Sequence, residues 1–537
     1  MVLEVLLGLL IIFLLAYLIT RKTAKTHGLH TIPMVSPWIP FFGNAHLLHN
    51  AKTHIVLTKW AKKYGSIFRM QLFKEDIVVL NDFASIYEAL VVKGRDFAGR
   101  PPMYRTEIAQ RNRHSVVWQT YTDKLVFLRK EVLRSLRMYG TGLENLEHKC
   151  RPDIELMLKR FSEAKGQPID PWNIIYDAVC NVMLSFTLGT RPDLTSTSVQ
   201  YIKHINALFN DTFGAGRALR LDFLPFLHLL RDDCHCRHQE ALKLRDAFWE
   251  EEFAKLKFQD DSRDCVVKHL LSFLEDDKEK KTEPNGINGT SISSSFLKSG
   301  GSKHDVDLSL TTIKEVFTNL ILAGTDTTAT ALTCLLLLFV HHPHIQISLW
   351  EEISATIGNE RLPCLADREK LPYMEATLLE LLRYISHVPL AVPHYTMCDT
   401  SVLGKRLPAN TTVYINLWSL HHDESVWPNP WTFNPSRFLD SNGKLLPSSH
   451  ENRRRLMPFG AGRRVCLGET LAKNRLFLFA TSLVQNFFFQ AEDEKNLPEV
   501  DPQAYEMGLF YIQNHSDYKQ FIGKVNENVL FKLYLIQ

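Results

Sequence analysis

From Val2 to Ile19 the chain is apolar apart from Glu4. As a helix, eighteen residues rise about 27 Å, close to the hydrocarbon thickness of an endoplasmic reticulum membrane. Arg21, Lys22 and Lys25 follow at once, with almost no positive charge before the span. This asymmetry predicts a single-pass anchor over residues 1–20, with the C-terminal side in the cytosol. The competing reading is a cleaved leader, but a positive n-region and a clear small-residue cleavage site are missing. A basic and proline-rich linker over 21–45 comes next. Pro33, Pro37 and Pro40 favour extended, stiff chain, which reads as a hinge between anchor and domain.

Residues 46–537 read as one large domain. Ile67–Leu72 and Ile77–Leu80 have the composition of short strands, and Asn81-Asp82 after them is a turn signal. Most of the chain beyond Asp82 has apolar residues at spacings of three and four, the period of helices. The run Val316 to Val340 is the longest apolar helical stretch of this part. Residues 276–307 are rich in Lys, Ser, Gly and Asn and predict a flexible surface loop. Phe223-Leu224-Pro225-Phe226-Leu227 reads two ways, as core or as a segment dipping into the membrane beside the anchor.

Composition removes several function classes. A net charge of +3 over 537 residues is too mild for nucleic acid. The nine cysteines are scattered, so a disulfide framework is not expected in so long a chain. Cys234-His235-Cys236 is spaced too tightly for a usual zinc pair. His341, His342 and His344 surround Pro343 at a helix end and read as a solvated cap. The sequons at Asn210, Asn288, Asn410 and Asn514 are expected to be unused on the cytosolic side.

The chemistry concentrates in Phe459-Gly460-Ala461-Gly462-Arg463-Arg464-Val465-Cys466-Leu467-Gly468. Read physically, this loop presents one thiolate to a metal. Gly462 and Gly468 let the backbone turn and approach a flat ligand. A helix starting at Glu469 would turn its positive end toward the sulfur. Arg464 would pair with an acidic group of the ligand, and Phe459 would shield the sulfur from water. The run fits F-x-x-G-x-R-x-C-x-G at every fixed position and resembles the haem-binding loop of the cytochrome P-450 family. The resemblance implies haem b with Cys466 as the axial ligand of its iron.

Other stretches fit the same family. Ala323-Gly324-Thr325-Asp326-Thr327-Thr328 is a polar patch in the long apolar helix. Buried polar groups need partners, so a local opening of the helix is expected there. The patch resembles the family's oxygen-activation motif, which implies Thr327 as the residue ordering hydrogen bonds at the oxygen-binding face and Asp326 as a proton relay. Glu380 and Arg383 share a helix face with apolar flanks, which argues for a buried pair needing further partners. By resemblance, Arg437 completes a structural Glu-Arg-Arg triad. The resemblance also assigns Arg129 and His394, with Arg464, to the haem propionates. At the tryptophan position of W-x-x-x-R the chain has Leu125, which removes an indole donor.

The implied fold is mainly α with a smaller β-rich lobe, the cytochrome P-450 fold with one N-terminal transmembrane helix. The implied activity is insertion of one oxygen atom into a lipophilic substrate: a steroid, a fatty acid or a xenobiotic. NADPH and flavins would act only through a separate flavoprotein reductase, with a b-type cytochrome as a further partner. Phe97-Ala98-Gly99-Arg100-Pro101-Pro102 and the Phe209-Asn210-Asp211 region resemble the branch holding steroid 17-hydroxylases and xenobiotic-oxidising members. Pocket candidates are Leu320, Ala323, Val388, Val392, Leu509 and Phe510. Lys130, Arg134, Arg137, Arg453, Arg454, Arg455 and Lys473 read either as scattered solvated charges or as a docking face for an acidic electron donor. Two other classes stand beside the monooxygenase: a reductase-independent haem-thiolate isomerase or dehydratase, and a non-enzymatic haem sensor.

Overall fold

The computed structural model describes residues 8, 28–40, 42–48, 52–108, 114–137, 143–165, 167–193, 196–213, 219–224, 228–229, 232–257, 265–282, 308–491, 495, 497, 499–504 and 531–535. Apart from Gly8, which is helical, the expected anchor lies outside the described residues. So do Leu509, Phe510, Asn288, Asn514 and the segment 225–227.

The described residues are mainly helical with small sheets. The organising element is the central helix Leu310–His341. Ser309 caps it by accepting from the Thr312 backbone N–H. At the other end Pro343 opens the next helix. Its length and apolar character match a membrane span, but 83% of its most apolar window is buried inside the protein. It is a core helix, packed against the almost wholly buried helix Pro171–Thr187. The expected solvated histidine cap is half right: His341, His342 and His344 do sit at this junction, but the His342 ring stacks on Phe433 at 6.0 Å.

The strands are β1 (Ile67–Leu72), β2 (Glu75–Leu80), β3 (His394–Tyr395), β4 (Thr400–Val402), β5 (Lys405–Leu407), β6 (Thr412–Ile415), β7 (Phe487–Ala491) and β8 (Phe531–Leu535). The main sheet has the order β1-β2-β6-β3. β1 and β2 form an antiparallel hairpin, and β2 pairs parallel with β6. β4 with β5 and β7 with β8 form two smaller pairs. Val78, Val79 and Leu80 are fully buried, so the inner end of β2 is covered on both faces and reads as a short apolar run.

Two sequence expectations change here. The part of the linker from Gly28 onward is not a free hinge. Leu29, Ile32 and Val35 are buried at 1–2% exposure, and the Val35 N–H donates to the Arg69 carbonyl at 3.0 Å. These three apolar side chains, spaced by three, bind the segment to the sheet. Residues 276–282, expected to begin a loop, instead continue the helix Val266–Thr282, and 283–307 lie outside the described residues.

The triad forms as expected. Arg383 donates two hydrogen bonds of 2.7 Å to the Glu380 carboxylate, and both side chains are fully buried. Arg437 adds a third at 3.2 Å, and the Asn434 N–H a fourth at 3.0 Å. Arg383 also donates to the His421 and Pro430 carbonyls at 2.8 Å each. One buried carboxylate thereby ties the helix Pro372–Ile385 to the chain leading into the cysteine loop. Removing one member leaves a buried charge unpaired. Arg383→Ala is expected to destabilise the holoprotein by about 3–5 kcal/mol in urea unfolding. A loss below about 1 kcal/mol, the size of an ordinary surface effect, would contradict this role.

Candidate active site

The loop Phe459–Gly468 runs into the helix Glu469–Asn486. Gly462 adopts φ 68°, and a Cβ there would lie 1.7 Å from the Leu90 carbonyl oxygen. Gly462 therefore seats the loop against the turn Glu88–Val92 rather than facing the ligand space. Gly468 does face that space, and a Cβ added there would meet nothing within 4 Å. The Cys466 N–H donates to the Phe459 carbonyl at 2.9 Å, and the Lys473 ammonium lies 5.3 Å from the Phe459 ring centre.

Cys466 is accessible and lines a large cavity. Burial pushes its thiol above the ordinary range; the Gly468 N–H and Arg129 act the other way, and Glu469 adds to the rise. Burial wins over the helix end. The sulfur therefore keeps its proton until a cation sits on it, and metal binding there releases a proton.

The cavity encloses about 1420 Å³ free of protein atoms, part of it open to solvent. Leu320, Ala323, Val388 and Val392, four of the expected pocket residues, line it. The central helix contributes Leu320, Ala323, Gly324 and Thr327, a stripe at spacings of three and four. Thr327 is thus on the wall of the cavity that holds Cys466. Its hydroxyl donates to the Ala323 carbonyl at 2.7 Å.

The helix does not open at this patch; it stays helical throughout Leu310–His341. Its polar groups find partners elsewhere. Arg475, fully buried on the cysteine helix, donates to the Gly324 carbonyl at 2.7 Å and the Thr328 hydroxyl at 2.9 Å. Asp326 is not on the cavity wall. Neighbouring helical residues point about 100° apart, and Asp326 faces the helix Thr197–Phe213. There Asn206 donates to it at 2.6 Å and Asn210 at 3.0 Å. A Cβ at Gly324 would lie 2.6 Å from the end of the Met183 side chain, which would have to shift to admit it.

At another edge of the cavity three guanidinium groups converge. Arg464 donates to the Ala98 carbonyl at 2.7 Å and the Gln119 carbonyl at 2.6 Å, while its Nη1 is buried without a partner. Arg129 donates to the Val465 carbonyl at 2.6 Å. Arg100 donates to the carbonyls of Val117, Val392 and Pro393. Among the described residues no carboxylate pairs with any of them. Burial lowers all three, and mutual repulsion adds to it for Arg100 and Arg464, taking Arg464 to about 9. Without a counter-charge the buried Arg464 guanidinium is destabilising, a penalty relieved as pH rises through about 9.

His394 lies beside them. Its Nδ1 donates to the Phe97 carbonyl at 2.7 Å. Burial, then Arg100 and Arg464, push it well below its ordinary value, with the Phe97 bond opposing. Neutral His394 therefore offers a lone pair and not a second donor; it serves an anion only once that anion restores its proton. Leu125 is fully buried in the core and adds nothing polar. Tyr121 stands nearby instead, its ring 5.7 Å from the Arg464 guanidinium.

A flat dianionic group whose metal takes a thiolate fits this donor set: buried cations without counter-charge, room at Gly468, and Cys466 on the same cavity. Sequence reasoning missed Arg100 and Arg475 as site residues. Arg100 is visible there only as part of a family-like run, and Arg475 sits in an ordinary amphipathic helix.

On the outer side, Tyr121, Val126, Arg129, Lys130, Arg134 and Arg463 line a surface groove. Lys130 and Arg134 are the residues expected on a basic face; Arg463 joins them. Arg455 and Lys473 pair with Glu451 and Glu469, and the Arg137 side chain lies outside the described residues. The Cys234-His235-Cys236 run forms no metal cluster among the described residues.

A family model described as cytochrome P-450 matches residues 33–515. The chain belongs to the cytochrome P-450 family. It is 30% identical over 467 residues to a steroid 17-alpha-hydroxylase/17,20 lyase of Squalus acanthias, covering 86% of each chain. It is 32% identical over 486 residues to cytochrome P-450 1B1 of Mus musculus, covering 88% of this chain and 84% of that one. Cytochrome P-450 1A1 of Sparus aurata is 30% identical, with 89% of each chain covered. As a member of this family the protein is a monooxygenase whose prosthetic group is thiolate-ligated haem.

A charge-assisted pair between Arg464 and a haem propionate would be worth about 1.5–3 kcal/mol, and Arg464→Gln tests for it. Transfer of haem from the variant to apomyoglobin is expected to speed up by about tenfold to a hundredfold. An unchanged transfer rate would show that Arg464 does not hold the haem.

Proposed function

We propose that this cytochrome P-450 inserts one atom of molecular oxygen into a lipophilic steroid, fatty acid or xenobiotic. Electrons come from NADPH through a separate flavoprotein reductase. One observation carries the reading: Cys466, the unpaired arginines and the Thr327 hydroxyl all border one apolar cavity. When bound, thiolate-ligated haem supplies the oxygen activation. Cys466 would ligate its iron, and Arg464, Arg129 and Arg100 would hold its propionates with His394. Phe459 and the neighbouring apolar wall keep water from the sulfur.

Thr327 presents a hydroxyl proton at the cavity wall and orders hydrogen bonds there. Asp326 acts from behind it. It relays protons only after Asn206 or Asn210 releases its carboxylate, because both amides hold it away from the cavity. The groove with Lys130, Arg134 and Arg463 supports docking of an acidic electron donor, the reductase or a b-type cytochrome. The apolar span before Arg21, Lys22 and Lys25 supports a single-pass anchor in the endoplasmic reticulum membrane, with the catalytic domain in the cytosol. The relative named as a steroid 17-alpha-hydroxylase supports a lipophilic substrate.

Cys466→Ser is expected to abolish the thiolate form of the reduced carbon-monoxide spectrum, and an unchanged spectrum would overturn the ligand assignment. Thr327→Ala is expected to keep that spectrum while the fraction of NADPH converted to product falls about tenfold or more. Unaffected coupling would remove Thr327 from the oxygen-side network. Turnover of a peroxide at full rate without NADPH or reductase would replace the monooxygenase reading with the isomerase one.

A further inference from the structure

His387 also lines the cavity. It is 8% exposed, and no described protein group hydrogen-bonds its ring; Nδ1 is buried without a partner. Its histidine neighbours are all engaged. His421 bonds the Ser386 hydroxyl at 2.9 Å and the Met457 N–H at 3.1 Å. His422 bonds the Trp418 and Tyr384 carbonyls at 2.9 and 3.0 Å. An unmet buried polar group costs about 1–3 kcal/mol, a cost that a leucine here would avoid.

The backbone fixes this position. The triad helix Pro372–Ile385 ends at Ser386 in the left-handed region, φ 38°. The Ser386 hydroxyl is tied to His421, and the carbonyl of Pro389 accepts from the Trp418 N–H at 3.0 Å. His387 and Val388 are thereby turned to the cavity on a rigid segment anchored through Arg383 and Glu380.

Most other polar groups on the wall are committed; Arg475, whose Nε and Nη1 are buried without partners, is the cationic exception. Asn319 accepts from the Ser115 hydroxyl and donates to Glu315 at 3.3 Å. Thr327 donates to its own helix. The arginines face the edge assigned to the propionates. Val116, Leu320, Val388, Ala391 and Val392 are apolar. Burial pushes His387 down to about 4, so its ring is neutral, with one donor and one acceptor nitrogen. A neutral ring in a buried wall offers one donor and one acceptor to an uncharged oxygen, but no counter-charge to offset burial of a carboxylate.

We propose that His387 is the specificity-determining contact of the cavity, hydrogen-bonding an uncharged hydroxyl or ketone oxygen on a lipophilic substrate. The proposal rests on the monooxygenase reading and narrows its substrate class: neutral oxygenated lipids are favoured over hydrocarbons and over fatty acids bound by their carboxylate.

The test uses full-length holoprotein, as wild type, His387→Leu and His387→Gln. Androstanol, androstanone, androstane and laurate are titrated against the iron's absorption spectrum, and the reduced carbon-monoxide spectrum is recorded for each protein. Wild type is expected to bind androstanol or androstanone about tenfold tighter than androstane. His387→Leu should remove that preference by weakening the oxygenated ligands alone, and His387→Gln should keep part of it. Equal affinities across the panel, tightest binding of laurate, no saturable shift with either oxygenated probe, or an unchanged preference in His387→Leu would each overturn the proposal. A carbon-monoxide band changed by His387→Leu would also overturn it, by placing the ring against the haem. Failure of the monooxygenase reading looks different: the wild type itself would lack the thiolate band.

Discussion

Burial of three arginines, Arg100, Arg129 and Arg464, at one cavity edge is the constraint around which this site is arranged, with repulsion adding to it for Arg100 and Arg464. Three guanidinium groups share one interior edge of a cavity, and among the described residues no carboxylate meets them. Such a cluster is unfavourable without a counter-charge. It persists because backbone carbonyls from several distant segments, those of Ala98, Gln119, Val392 and Val465 among them, hold each arginine in place. The same contacts draw the Phe97–Pro102 segment, the Asp123–Arg137 helix and the cysteine loop together. An anionic group that completes the charge balance also completes the packing.

The Glu380 triad shows the opposite solution to the same electrostatic problem. There two arginines meet one carboxylate with every strong donor satisfied. A satisfied buried network rigidifies, and this one sets the direction in which the chain leaves Ile385 and carries His387 into the cavity. An unsatisfied one awaits a ligand. Arg475 is intermediate: it spends one nitrogen on the central helix, while Nε and Nη1 stay buried without partners. It links the helix that follows Cys466 to the turn that carries Thr327. The two halves of the site are therefore mechanically coupled through one side chain.

Much of this is legible in the sequence wherever a residue's role depends on near neighbours. The cysteine loop, the apolar central helix, the hairpin β1–β2 and the Glu380–Arg383 pair all follow from local spacing. Asp326 departs from the motif taken as a unit. Helical geometry sends adjacent residues to different faces, and only the placement of Asn206 and Asn210 reveals which face Asp326 uses. Gly462 reads as a ligand-side residue, whereas its close neighbour is Leu90, far away in the chain. His387 carries no local signal, and Arg100 only that of belonging to a family-like run. What marks them is the absence of a counter-charge or partner after folding, a property that exists only in three dimensions.

The proposed haem placement puts two propionate charges at this cavity edge. Comparing the affinity of the apoprotein for haem and for haem dimethyl ester, whose propionates are neutralised, tests this most directly. The arginine cluster is expected to bind the ester about a hundredfold or more weakly, two charge-assisted pairs being lost. Equal affinity for the two would contradict the account, since the three arginines would then have no anion to hold.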